Sequence, residues 1–232
     1  MQPRGNEQAR DKGTGTMEDA AQVCQPRPPM PPGEALALLK EGNIRHKSGQ
    51  AGVDNSTRPR ASMEGQWPLA TILCCSDSRV PPEIVFDQGP GQLFIVRVAG
   101  NIVTPELLAS VEYATMHSTS RLIVVMGHEC CGAVTAAVQC AEAGSMPDNP
   151  NMKGLLSHLL PVVDRAREQS GLTGGELVET VATENAADVA ARILEQSPDL
   201  AAMVADGALG VVWAKYSIAT GEVSFGDWAS LS

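Results

Sequence analysis

Two pairs of adjacent cysteines stand out among the residues that could carry chemistry. Cys74 and Cys75 form the first pair, and Cys130 and Cys131 form the second. In a chain with no evident secretory signal, cysteines point to metal or redox chemistry more than to disulfides. We therefore interpret the two pairs as contributing residues to one site. The alternative that the cysteines only fill a core as small hydrophobic residues stays open.

Polar residues accompany both pairs. Cys75 is followed by Ser76–Arg79, which includes Asp77 and Arg79, whereas His128 precedes the second pair. Two thiolates and one imidazole form a ligand set that favours zinc. Three protein ligands would leave the fourth position of the metal open, as in catalytic zinc sites.

The spacing indicates which cysteine of each pair faces the site. Successive residues of a strand point to opposite sides, so only one of Cys74 and Cys75 can line it. Cys75 shares its loop with charged residues and is the candidate. We expect His128 and Cys131, three positions apart, to lie side by side through one helical turn, with Cys130 facing elsewhere.

The elements that must position these residues follow from the hydrophobic pattern. Unbroken apolar runs are typical of parallel strands buried on both faces, and they occur at 69–75, 92–98 and 121–127. Helices are predicted over 34–47, 105–117, 131–143, 152–168 and 176–196, and two strands over 208–228 with a turn at Thr220–Gly221. This order predicts an α/β fold, a single domain with a central, mostly parallel sheet flanked by helices. Both cysteine pairs follow a core strand, and open parallel sheets bind ligands at the carboxyl ends of their strands.

Composition narrows the class of protein. The chain has 232 residues, of which 43% are hydrophobic and 19% charged, so one globular domain is expected. The polar, proline-containing segment 1–33 predicts a disordered tail before a domain spanning 34–232. No apolar run approaches the ~20 residues of a membrane span, and a formal charge of −10 argues against a nucleic-acid partner. The N-terminus has no apolar signal core, which favours the cytoplasm.

The motifs resemble those of one known family. CSDSR at 75–79 and GHECCG at 127–132 are similar to the paired motifs of the β-class carbonic anhydrases. The likeness runs from about Leu36 to Phe225 and includes EGNIRHKSG (41–49), VRVAGNI (96–102), SVEYA (110–114) and YSIATGEVSF (216–225). Ile72 stands where members with an allosteric bicarbonate pocket carry tryptophan, so the resemblance is to the plant-like, non-allosteric type.

The resemblance implies a role for particular residues. Cys75, His128 and Cys131 would bind one Zn²⁺ per chain, and Asp77 with Arg79 would form a catalytic dyad. The substrate pocket would be lined by Gln66, Phe94, Tyr113 and Gly132. Gln66 would reach the site of the other subunit across a dimer interface.

The resemblance also implies an activity and an assembly. The protein would be a carbonate dehydratase, a zinc lyase that interconverts carbon dioxide and bicarbonate by attack of a zinc-bound hydroxide that Asp77 orients. Its N-terminal helices would pack on a partner subunit in a homodimer or higher homo-oligomer.

The same residues are also compatible with three other functions. Some relatives hydrolyse carbonyl sulfide or carbon disulfide with the same ligands. A non-catalytic zinc module would need the metal but no dyad, and Asp77–Arg79 would then be an ordinary surface ion pair. A thiol-redox protein would use the adjacent cysteines without metal.

Overall fold

The computed structural model describes residues 28–53 and 65–229. Its helices are α1 (Pro32–Lys47), α2 (Pro82–Val85), α3 (Pro105–His117), α4 (Gly132–Ala143), α5 (Pro150–Ser157), α6 (Leu160–Ser170), α7 (Gly174–Gln196) and α8 (Pro198–Ala205). Its strands are β1 (Ala70–Cys74), β2 (Leu93–Arg97), β3 (Leu122–His128), β4 (Gly210–Tyr216) and β5 (Val223–Trp228). A 3₁₀ turn at Ala99–Asn101 follows β2. Within the described ranges, no helix combines the length and apolar character that a membrane crossing requires.

The order of the strands creates a crevice at one edge of the sheet. The order is β2-β1-β3-β4-β5, with β1 to β4 parallel and β5 antiparallel to β4. The chain passes from β1 to β2 on one side, and then returns to β3 on the other side of β1. The connections after β1 and β3 therefore leave in opposite directions, and ligands bind at such a switch point.

Side-chain alternation divides the core between the two faces of the sheet. Ile72 and Cys74 on β1 pack with α1 in one cluster, whereas Leu73 packs with α3 and α7 in another. Cys75 and Cys131 belong to a third cluster, formed by α4 to α7 beside the carboxyl edge of the sheet. The expectation that Cys74 and Cys75 face opposite sides is confirmed.

The predicted strands are present, with one difference in burial. β1 and β3 are buried throughout, as expected. On β2, Phe94, Ile95 and Arg97 are only partly buried, because β2 forms an edge of the sheet. The expectation that this strand is covered on both faces therefore holds only in part within one chain.

The helices differ from prediction at several places, and the short α2 was not predicted. The predicted helix 152–168 is two helices, because Pro161 lacks an N–H and its ring clashes with the carbonyl four residues earlier. Helix α8 was not predicted, although Ser197 as N-cap and Pro198 in the first turn are start signals. Helix α1 begins at Pro32, and residues 1–27 of the predicted tail lie outside the described residues.

A buried carboxylate ties α1 to the segment that follows it. Asp87 accepts hydrogen bonds from Arg45 Nε at 2.5 Å and from the backbone N–H groups of Gly52 and Val53. Burial alone would raise the pKa of Asp87, but these donors outweigh it and hold the pKa below its usual value. The stabilisation is therefore complete well above pH 4 and is lost as the pH falls through the lowered folded-state pKa.

Asp87→Asn is expected to lower the free energy of unfolding by about 1–3 kcal/mol at pH 7, because it removes a charged acceptor from buried donors. The difference from the native protein should shrink as the pH falls from about 4, where the carboxyl of the unfolded chain gains a proton, through the lower pKa of the folded state. Urea unfolding of the variant and the native protein at pH 7 and below about pH 4 measures the loss of stability and its dependence on pH. Asp164→Asn, at an exposed position of α6, is the control. An equal loss at both pH values would contradict the assignment.

Candidate metal centre

Three potential ligands converge where β1 and β3 end. Cys75 directly follows β1, His128 is the last residue of β3, and Cys131 is the N-cap of α4. All three are buried, and their ligand atoms lie within 4.8 Å of one another. The two Sγ atoms are 4.0 Å apart, whereas two thiolates on a tetrahedral zinc ion lie about 3.8 Å apart. The geometry fits a zinc ion.

The hydrogen bonds of His128 leave one ring nitrogen available. Nδ1 lies 2.8 Å from the carbonyl oxygen of Glu129, to which it donates in the neutral tautomer. Nε2 is buried, and no group in the described ranges lies within hydrogen-bonding geometry of it. Metal-bound histidines commonly donate their second N–H to a carbonyl or carboxylate. Nε2 is therefore the atom suited to a metal ion.

The thiols of the centre differ from their neighbour Cys74. The hydrogen bond between Cys75 and Cys131 lowers the pKa of Cys75 and raises that of Cys131. The Cys75 thiolate accepts this bond from the Cys131 thiol, which therefore keeps its proton. A divalent cation can replace that shared proton, which couples metal binding to proton release. Burial raises the pKa of Cys74 to about 12, so Cys74 stays protonated.

A tight turn sets the spacing of the second and third ligands. Glu129 and Cys130 connect β3 to α4, and Cys130 has a φ of 51°, in the left-handed region. His128 and Cys131 do lie side by side, but the expectation of one helical turn between them is wrong, since His128 is in the strand. Cys130 is exposed and is not part of the group of three ligand residues, in agreement with the prediction that it is not a ligand.

The turn after β2 contacts the first ligand through a glycine. Gly100 has a φ of 72°, and its N–H donates to Cys75 Sγ at 3.4 Å. A Cβ at this position would lie 3.1 Å from Leu159 and 3.2 Å from Ala133. The Gly100 carbonyl accepts from Nδ2 of the buried Asn185 at 2.9 Å. Only glycine fits this approach without displacing its neighbours.

Asp77 and Arg79 form a two-pronged ion pair beside the ligands. Arg79 Nε donates to Asp77 Oδ1 at 2.9 Å and its Nη2 donates to Oδ2 at 2.7 Å. The Arg79 side chain lowers the pKa of Asp77, so the carboxyl is an anion at neutral pH. Arg79 also reaches the carbonyl of Cys130 at 3.3 Å. The pair is thus linked to the turn between two of the ligands.

Comparisons with known proteins agree with this arrangement. The sequence model of the carbonic anhydrase family matches residues 70–223. Carbonic anhydrase 2 of Mycobacterium tuberculosis is 34% identical over 198 residues, which cover 84% of this chain and 93% of that protein. The chain belongs to the carbonic anhydrase family.

Solved structures identify the class of carbonic anhydrase. The β-carbonic anhydrase CcaA superposes with a TM-score of 0.67 at 26% identity, covering 86% of this chain and 93% of that one. A tetrameric β-carbonic anhydrase of the ascomycete Sordaria macrospora gives a TM-score of 0.66 at 25% identity, covering 85% and 100%. The chain is a β-class carbonic anhydrase, and its single α/β domain with a mostly parallel sheet is the fold of that class.

The other positions predicted from the carbonic anhydrase motifs divide into two groups. Gly132 adjoins Cys131 at the start of α4, and open space surrounds the place where a Cβ would lie. Gln66 is exposed four residues before β1, so the strand separates it from Cys75 by about 16 Å. Phe94 pairs in register with Thr71, near the start of β1. Within one chain, Gln66 and Phe94 therefore do not join the three ligands.

Tyr113 belongs to the same surface as Phe94. The two rings are 6.4 Å apart, and the ring of His117 lies 5.0 Å from that of Tyr113. Tyr113 is 58% exposed, which is unusual for a large aromatic side chain. These aromatic residues form a cluster on the surface of the single chain.

Sequence reasoning missed a charged residue behind the dyad. Arg97 ends β2, donates from Nε to the Cys75 carbonyl at 3.0 Å and from Nη2 to the Asp77 carbonyl at 2.6 Å. It therefore fixes the backbone that carries both the first ligand and the dyad. The available signal was a charged residue at the carboxyl end of an otherwise apolar strand.

Proposed function

We propose that this protein catalyses the reversible hydration of carbon dioxide to bicarbonate and a proton, with one zinc ion held by Cys75, His128 and Cys131. The observation that carries the proposal is the meeting of two thiols and the His128 imidazole beside the Asp77–Arg79 pair, with Nε2 left without a hydrogen bond among the described residues. A zinc ion bound there supplies a Lewis acid that makes a water-derived nucleophile available near neutral pH.

Asp77 orients the nucleophile. All three donors that Arg79 offers to it, the backbone N–H, Nε and Nη2, hold the carboxylate in one orientation. As an anion it can only accept hydrogen bonds, so it accepts one from the O–H of the attacking water. A lone pair of the water oxygen then points at the carbon of carbon dioxide. The planar fork of Arg79 is needed because an ammonium group would not fix both carboxylate oxygens.

The substrate pocket is completed by a second copy of the chain. Gln66, Phe94 and Tyr113 are not grouped with the three ligand residues of their own chain, and the exposed aromatic surface requires cover. The Sordaria relatives are described as tetrameric, which supports a homo-oligomer here. In such a dimer, the Gln66 amide N–H donates to the substrate oxygen that gains charge as bicarbonate forms.

Mixing two inactive variants tests the shared site. Gln66→Ala is expected to reduce hydration about 100-fold, and Cys131→Ser to abolish it. Unfolding and refolding the two together forms mixed dimers, each with one site that has native ligands and a native Gln66. Hydration should then recover to about a quarter of the native rate, because half of the dimers carry one complete site of two. Refolding each variant alone is the control, and no recovery in the mixture would contradict the shared site.

Assays with two substrates, carbon dioxide and carbonyl sulfide, test which reaction the protein catalyses. Stopped-flow hydration of carbon dioxide by the zinc-loaded protein is the expected activity. The rate of sulfide release from carbonyl sulfide is measured on the same sample. Efficient sulfide release without hydration of carbon dioxide would contradict the proposed reaction and support the alternative, hydrolysis of carbonyl sulfide.

A further inference from the structure

Two side chains outside the centre hold the turn between His128 and Cys131. The backbone N–H of Cys130 donates to Oε1 of Glu179, on α7, at 2.8 Å. Oε2 of the same carboxylate pairs with Nζ of Lys215, on β4, at 2.8 Å. Lys215 Nζ also donates to the Glu179 carbonyl at 2.9 Å. Glu179 is therefore fixed at both ends before it meets the turn.

The residue that Glu179 holds is the one whose conformation determines the ligand spacing. Cys130 carries a side chain at a φ of 51°, a conformation that costs free energy and persists only where the surroundings impose it. If the turn relaxed, Cys131 at the start of α4 would shift relative to His128 at the end of β3. The Cys130 carbonyl also accepts from Arg79, so the same residue contacts the dyad.

We propose that Glu179 and Lys215 are positioning residues that set the zinc affinity and the ligand geometry of the centre by fixing the Cys130 turn. This inference rests on the proposed zinc centre. The Glu179 and Lys215 side chains are partly exposed, and an exposed ion pair contributes little to global stability. Their main effect is therefore on the position of the turn.

The surroundings of the pair support this role. Burial would raise the pKa of Glu179, but the Cys130 N–H and Lys215 lower it below its usual value, so the acceptor is an anion. Lys215 lies in register with Gly127, one residue before the ligand His128, on a strand that is otherwise apolar apart from Tyr216. The pair thus connects α7, β4 and the ligand turn.

The test compares variants of the zinc-loaded protein. Glu179→Ala, Glu179→Gln and Lys215→Met are assayed for the rate of zinc release to a colorimetric chelator. The visible absorption of the cobalt(II)-substituted protein reports the ligand geometry directly. The matched control is Asp188→Asn, which removes another carboxylate of α7 that pairs with Arg165 at 3.0 Å.

Glu179→Ala is expected to release zinc about 10-fold faster and to shift the cobalt absorption bands, as loss of residues behind metal ligands does. Lys215→Met should act in the same direction. Glu179→Gln should stay closest to the native protein, because its amide oxygen still accepts from the Cys130 N–H. Asp188→Asn should match the native protein in both measurements.

Native zinc release with an unchanged cobalt spectrum in Glu179→Ala would overturn the inference, even if the melting temperature fell. If Glu179→Ala does not fold, the same two measurements on Lys215→Met decide, with Glu179→Gln as the conservative comparison. Failure of the proposed function is distinguishable, because the native protein would then retain no zinc or hydrate no carbon dioxide.

Discussion

Cys75→Ser and Cys131→Ser are each expected to leave a protein that retains no zinc and whose hydration of carbon dioxide falls to background. A serine hydroxyl does not ionise at neutral pH, whereas zinc binds the thiolate. The remaining two ligands cannot hold the metal against dialysis. Elemental analysis after dialysis, together with the hydration rate, measures both effects.

The neighbouring cysteines are the matched controls. Cys130→Ser should keep zinc and activity, because its side chain is exposed and does not belong to the group of three ligand residues. Cys74→Ser should also keep both, although a hydroxyl in this fully buried position lowers the free energy of unfolding by about 1–3 kcal/mol. Loss of zinc in Cys130→Ser but not in Cys131→Ser would contradict the ligand assignment.

Arg79→Lys is expected to reduce hydration about 100-fold while zinc stays bound, because a misplaced catalytic group costs that much and no ligand is changed. A lysine keeps the charge but loses the two parallel hydrogen bonds to Asp77. Asp77→Asn should be equally damaging, since an amide can turn an N–H donor toward the nucleophile. Measuring the turnover rate between pH 7 and pH 9 together with the zinc content distinguishes a loss of catalysis from a loss of the metal.

Arg165→Lys provides the comparison for this pair. Arg165 also contacts an aspartate, Asp188, at 3.0 Å, but on the surface formed by α6 and α7. Its replacement should leave hydration unchanged. If Arg79→Lys and Asp77→Asn keep near-native turnover with full zinc, the pair is an ordinary surface ion pair and the proposed mechanism is wrong.

Local rules predict two of the three ligand residues, whereas the helical turn expected between His128 and Cys131 is in fact a tight turn after a strand. Strand alternation separates Cys75 from Cys74, and an apolar strand followed by polar residues places both Cys75 and His128 at one edge of the sheet. These inferences need only the order of strands and helices. The structure confirms the grouping of the three ligand residues.

The residues that hold the ligands could not be predicted in the same way. Asn185 and Glu179 meet the centre only because α7 packs across the ends of the strands, far along the chain from the motifs. The left-handed turn at Cys130 also gives no local signal, since glycine or asparagine usually marks that conformation. The contribution of Gln66 from another subunit is not visible in any single chain and stays a prediction.

Zinc titration of the metal-free protein, with hydration followed by stopped flow at each addition, is the decisive measurement for a zinc-dependent carbonic anhydrase. Hydration should rise in proportion to added zinc and level off at one zinc ion per chain, and Cys131→Ser should show no rise at all. Full hydration without zinc, or one tightly bound zinc per chain with no hydration of carbon dioxide, would contradict the proposed function.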